Sequence, residues 1–145
     1  MRDLQTGIYD YHTVVSLFVG SADFEPMPFL ASPFYRRLAH RPTVWANATL
    51  ERLPSPETIT VPAGSFTTNV FIVRPSDGRE GRFHVERAYP HRIVRWVWKP
   101  APSGSPLGGT DAAELAGSTR LEYWKTHDPG DERYLERLGL GPGVK

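Results

Sequence analysis

The sequence predicts a mainly β fold: a curved antiparallel sheet of about six strands, as a half-barrel or open barrel, with two short N-terminal helices. Three observations carry that expectation. The stretch Glu57 to Lys99, ETITVPAGSFTTNVFIVRPSDGREGRFHVERAYPHRIVRWVWK, holds four extended runs punctuated by Pro and Gly. Fourteen Pro and 13 Gly among 145 residues suit a sheet with many turns and exceed what a helical bundle tolerates. Apolar residues recur with a period of two through much of residues 43–126, as in half-buried strands. The length fits a single domain with a core large enough to need no covalent staple. Residues 1–42 are expected to form a helical and loop cover, 43–126 the sheet, and 127–145 a tail.

In chain order, Tyr9 to Gly20 reads as a short helix: Asp10 can cap it, Val14, Leu17 and Phe18 share one face, and Gly20 stops it. Phe24 to Leu30 is apolar, but Pro26 and Pro28 predict a loop, folded over the core or acting as a lid. Ser32-Pro33 opens a second helix to about His40, with Phe34, Tyr35 and Leu38 inward and Arg36, Arg37 and Arg41 as a basic cluster. Thr43 to Arg52 alternates Val44, Ala46, Ala48 and Leu50 with Trp45, Asn47, Thr49 and Glu51, a strand with one small-residue face and one polar face.

The organising stretch follows. Thr58 to Val61 is a short strand, and Pro62-Ala63-Gly64 a turn in which Gly64 can take positive φ. Phe66 to Arg74 turns apolar on both faces, which predicts a central strand. Ser76-Asp77-Gly78 makes a hairpin into Arg82–Ala88, where Phe83 and Val85 alternate with His84 and Glu86. Tyr89-Pro90-His91 turns into Arg92–Lys99, with Val94, Trp96 and Trp98 on one face and Ile93, Arg95 and Val97 on the other. Ala101–Gly109 is a surface loop. Ala112 to Thr126 reads as extended with a bulge at Gly117-Ser118, and Asp131 to Leu138 as a short helix before the GPGVK end.

With no Cys, disulfides, thiol nucleophiles and thiolate metal sites are excluded. Seventeen basic against 16 acidic residues leave a net charge of +1, too balanced for a field that gathers nucleic acid. The longest apolar run, Val14 to Val19, is far too short for a membrane span. The opening MRDLQTGIYDYH lacks the apolar core of a secretory signal, so the expected compartment is the periplasm if a leader has been removed and the cytoplasm otherwise.

Catalytic signals are sparse. His84 and Glu86, two apart on a strand, point to one face, and His91 follows the next turn. Such a trio has the residue types for acid–base work or an open divalent-metal site, although its spacing is equally that of a polar outer sheet face, and no metal is assigned. There is no G-x-S-x-G elbow and no phosphate loop ending in Lys-Ser/Thr. VPAG is similar to a run in metal-binding cupin barrels, but Ser65 to Thr68 supply no imidazole. Aromatics say more. Trp96 and Trp98 share a strand face, Trp45 and Trp124 lie on other runs, and Phe71 is nearby in the sheet; these are either core or the lining of an apolar slot.

At ETITVPAGSF, followed by a strand, a DG turn and a further strand, the chain resembles a bacterial family of uncharacterised cell-envelope proteins. Its members share a strand–VPAG–strand hairpin preceded by a short helix opening with Asp, as Asp10 does here. They are similar to the half-barrel fold of periplasmic lipoprotein carriers, in which a curved antiparallel sheet wraps helices and holds acyl chains. The resemblance follows the order of elements from Tyr9 to Trp124, with the recognisable residues in the hairpin, and it offers no catalytic residue to transfer. A full half-barrel has more strands, so the chain is expected to be the C-terminal half of such a unit or to complete its sheet as a homodimer.

Together, the aromatic face and the resemblance imply a non-enzymatic module of the bacterial cell envelope that binds an apolar small molecule or lipid without a cofactor. Trp96, Trp98, Trp124 and Phe71 would line the slot, and Arg95, Arg36 or Arg37 would meet a head group. The alternatives are an enzyme using His84, Glu86 and His91, and an assembly protein that pairs through an exposed sheet edge.

Overall fold

Alternating apolar residues and paired turns build one sheet in the computed structural model, which describes residues 23–31, 37, 40, 42, 44–102 and 109–138. Its strands are β1 (Asp23–Leu30), β2 (Trp45–Arg52), β3 (Glu57–Val61), β4 (Gly64–Pro75), β5 (Glu80–Glu86), β6 (Ile93–Lys99) and β7 (Asp111–Glu114). The order is β1-β2-β4-β5-β6-β7, with β3 also on β4, and every pairing is antiparallel. It is an open meander, not closed into a barrel among the described residues.

The 12-residue β4 is the spine. β2 pairs with its Phe71–Pro75 half and β3 with its Gly64–Thr68 half, so β2 and β3 act as one strand interrupted at Leu53-Pro54-Ser55-Pro56. The prolines there lack the N–H that a ladder needs, while Leu53 N–H still reaches the Val70 carbonyl at 2.9 Å. Val70 to Val73 are buried on both faces, as the doubly apolar run predicts. Gly64 takes φ 125° directly after the Pro62-Ala63 turn, and Gly78 takes φ 85° in the β4–β5 turn.

One face holds the core. Ala48, Leu50, Phe71, Val73, Phe83 and Val85 form a buried cluster, against which Phe29, Ile93, Trp96 and Trp98 pack. Gly81, opposite Trp98, completes it: a Cβ there would stand 2.8 Å from the Trp98 ring and 2.9 Å from Phe83. A strand glycine here gives room for a cross-strand indole. On the other face Thr68, Val70, Ile72 and His84 are buried as well.

Several expectations change. Phe24–Leu30 is not a loop but the edge strand β1; its prolines are tolerated because an edge needs fewer ladder donors, and the register shifts between Phe24 and Met27. In β6 the register shifts so that His84 pairs with Arg95 but Val85 with Ile93. Val94 is the extra residue, and Ile93 joins the Trp96–Trp98 side instead of the Arg95 side. The run Ala112–Thr126 is extended only as far as Glu114. Beyond it come irregular chain, a 3-10 turn at Tyr123–Lys125 and the four-residue helix α1 (Arg133–Glu136). Gly117 marks a close approach rather than a bulge, since a Cβ there would meet the Leu138 backbone at 2.8 Å.

The Tyr9–Gly20 helix, most of the Ser32–His40 helix, the centre of the Ala101–Gly109 loop and the GPGVK end lie outside the described residues. Of the second helix, Arg37 is helical and exposed, and His40 N–H bonds to the Arg37 carbonyl at 3.2 Å.

After β7 the chain makes one further connection. Leu115 N–H donates to the Val94 carbonyl at 2.9 Å, and the Leu115 carbonyl accepts from Ala63 N–H at 3.0 Å. A single residue thus ties β6 to the tip of the β3–β4 hairpin.

Candidate functional site

The sheet carries a cleft on its His84 face. Glu57 and Ile59 from β3, Glu80, Arg82 and His84 from β5, and Arg95, Val97 and Lys99 from β6 line a space of ≈ 350 Å³. In a flat sheet β3 and β6 would stand three strand spacings apart, about 14 Å; here they share one opening. All three contributions come from period-two alternation, which sends Glu80, Arg82 and His84 to the side opposite Phe83 and Val85. Arg95 and Val97 are the cross-strand partners of His84 and Arg82, so they face the same way.

His84 is the anchor, 5% exposed. Thr68 Oγ1 donates to the Glu57 carbonyl at 2.9 Å, so its oxygen accepts from His84 Nδ1–H at 3.3 Å. Nε2 is then the acceptor for Arg82 Nε–H at 3.4 Å. This chain defines a neutral imidazole. Burial pushes its pKa down and Arg82 and Arg95 push the same way, against the Glu57 carboxylate 3.8 Å from Nδ1. Arg82 is held twice, by His84 and by a short ion pair from Nη2 to Glu57 Oε1. The other cations have long partners: Arg95 with Glu114 at 3.5 Å, and Lys99 with Glu80 at 3.7 Å. Glu80 is drawn also to Arg74, at 3.0 Å. The lining therefore carries three cations, two carboxylates and a neutral imidazole around the apolar Ile59 and Val97.

The trio His84, Glu86 and His91 is engaged in separate contacts. Glu86 is buried and bound by Arg92 through Nε at 2.7 Å and Nη2 at 2.9 Å, which holds its carboxyl below the usual range. Arg92 in turn lies 5.2 Å over the Phe66 ring. His91, at φ 60°, places Nδ1 3.2 Å from the Glu86 backbone carbonyl and also acts electrostatically on the Glu86 carboxyl. Among the described residues no group of three or more His, Asp or Glu side chains is placed to hold a metal ion. The plain outer-face expectation for HVER changes as well, because both His84 and Glu86 are buried.

Of the residues assigned to an apolar slot, Phe71, Trp96 and Trp98 do come together: Phe71 belongs to the buried core cluster, and the half-buried Trp96 and Trp98 pack against it. Trp98 meets Phe83 edge-on at 5.7 Å and Phe29 at 6.4 Å, with the Arg79 guanidinium 4.9 Å over its ring. Trp124 is away from the sheet, 59% exposed in the 3-10 turn beside Tyr123. Arg95 is on the opposite face, in the cleft. A second, shallow opening lies at the β1–β2 edge, lined by Pro28, Trp45, Ala46, Asn47 and Ser76, without an ionisable side chain.

Glu57, Ile59, Glu80, Arg82, Val97 and Lys99 were absent from the sequence-derived site. Their signal is present in the chain as three period-two runs: Glu57/Ile59, Glu80/Arg82/His84 and Arg95/Val97/Lys99. What the runs lack is any indication that β3 and β6 line one opening. Comparison of the chain with protein families, with characterised proteins and with solved structures finds no match.

Proposed function

We propose that the protein is a non-enzymatic binding module that holds a small amphiphilic ligand in the β3–β5–β6 cleft. The observation that carries this reading is the combination of Ile59 and Val97 with Arg82, Arg95 and Lys99 around one opening. Concave sites with an apolar surface and a few convergent polar groups are where small molecules bind. The apolar-ligand expectation is kept, but the site moves from the tryptophans, which are engaged in packing, to the opposite face. The VPAG hairpin supports a cell-envelope setting for such a carrier.

The rivals have less to work with. Both His84 ring nitrogens are engaged and the Glu86 carboxylate is ion-paired with Arg92, so these two groups are already committed to partners within the protein. Strand addition meets blunted edges at β1, which carries Pro26, Pro28 and a register shift, and at β7, which has four residues bounded by Asp111 and Glu114; the edge left to it is β3, which pairs only with β4.

The test is a titration with anilinonaphthalene sulfonate followed by methyl NMR. Saturable shifts are expected at the Ile59 and Val97 methyls, with Val73 and Val85 of the tryptophan face unmoved. Shifts at Val73 and Val85 instead would return the slot to the aromatic face, and no saturation at any methyl would remove the binding reading.

A further inference from the structure

We infer that the Glu57 carboxylate is an internal stand-in for the acid group of the ligand, and that a small carboxylate amphiphile enters by displacing it from Arg82. This inference rests on the cleft being the binding site, and it names both the ligand class and the group that competes with it.

Arg82 has a second anchor besides the Glu57 side chain. Its Nε donates to His84 Nε2, and His84 is itself fixed through Nδ1 to Thr68 Oγ1, which bonds the Glu57 backbone carbonyl. When the Glu57 side chain swings away, the backbone of β3 and the guanidinium both stay in place. The recognising group is therefore preorganised for a second carboxylate. A carboxylate also matches the planar guanidinium fork better than a compact or neutral head group.

Displacement is feasible because the pair is open to water. The Arg82 and Glu57 side chains are 36% and 40% exposed, and ion pairs at that exposure contribute little to stability. Exchanging one carboxylate for another on Arg82 is close to neutral, so the balance is set by what else the newcomer brings. An apolar tail laid along Ile59 and Val97 adds buried area that Glu57 cannot supply. The released Glu57 remains solvated at the mouth. Glu80 is no equivalent stand-in, since its carboxylate lies against Arg74 and Lys99 rather than Arg82.

The probe is decanoate, titrated by calorimetry into the full chain and its variants, with folding checked by NMR dispersion. Glu57→Gln is expected to bind decanoate about fivefold more tightly, the factor equivalent to removing a competing exposed ion pair. Glu80→Gln removes the same charge from the same cleft without vacating Arg82, and is expected to change affinity by less than half as much on a logarithmic scale. Arg82→Gln is expected to abolish saturation, and decanol, the neutral isostere, to show no gain from Glu57→Gln. Binding by Glu57→Gln alone, with the wild type silent, would overturn the displacement, since the ligand would then fail to exchange with Glu57. Equal gains from Glu57→Gln and Glu80→Gln, or undiminished binding by Arg82→Gln, would overturn it while methyl shifts with anilinonaphthalene sulfonate kept the cleft as a binding site. Loss of both signals would overturn the two together.

Discussion

His84 sits where a proton would change several contacts at once. Protonation would remove the acceptor that Arg82 uses and place a charge in a buried site beside Arg82 and Arg95, with the Glu57 carboxylate as partial compensation. Its folded pKa is depressed, so between the ordinary histidine value, about 6.5, and the lower folded value the unfolded chain binds more protons. Stability therefore falls as pH drops through that window. Glu86 contributes in a separate and lower range, because its depressed pKa gives stability that persists above the usual carboxylate range and is lost as pH falls through the lowered value. Urea unfolding should accordingly show a loss of stability as pH falls below the ordinary histidine value, about 6.5, that is diminished in His84→Gln; an identical pH slope in both proteins would show that His84 is not its source. The types and shared face of His84 and Glu86 were legible in the chain. Their burial was not, since HVER reads equally as a solvated strand face, and the groups that cover it, Thr68 at His84 and Arg92 at Glu86, come from outside β5.

At the level of elements, strands announced themselves by alternation and turns by Gly and Pro, which is why β2 to β6 fall close to where the chain predicts them. The misses have one cause: features held by backbone geometry leave no side-chain pattern. The extra residue Val94 reverses the side on which Ile93 lies, and nothing in RIVRW distinguishes a bulge from plain alternation. Pro26 and Pro28 read as loop signals because only an edge position excuses them in a strand. Leu115 is the third case, and it can be tested directly. The amides of Leu115 and Ala63 lie outside the strands yet are bonded, so they should exchange with solvent far more slowly than those of Ala116 and Ser118. In Leu115→Pro the donor to Val94 is lost; Ala63 protection should fall with it if the connection holds the hairpin tip. Unchanged Ala63 exchange would show that the hairpin keeps its place without it.

For the molecule as a whole, charge is spread rather than massed. A row of Glu51, Arg74, Glu80 and Lys99 crosses β2, β4, β5 and β6, joined at 2.7, 3.0 and 3.7 Å. Its members are about one-third to two-thirds exposed. With a net charge of +1, neither attraction nor self-repulsion dominates. Raising salt from about 0.05 to 0.5 M should therefore change unfolding free energy by less than about 1 kcal/mol; a larger loss would mean that the row acts as a cooperative network. Seen at this scale, the tie at Leu115 has a consequence for how the protein can vary. Any residue except proline offers the same N–H and C=O, so a mutational scan of position 115 would look permissive while the connection stayed intact. The shape of the cleft would then be inherited through a site whose letters drift.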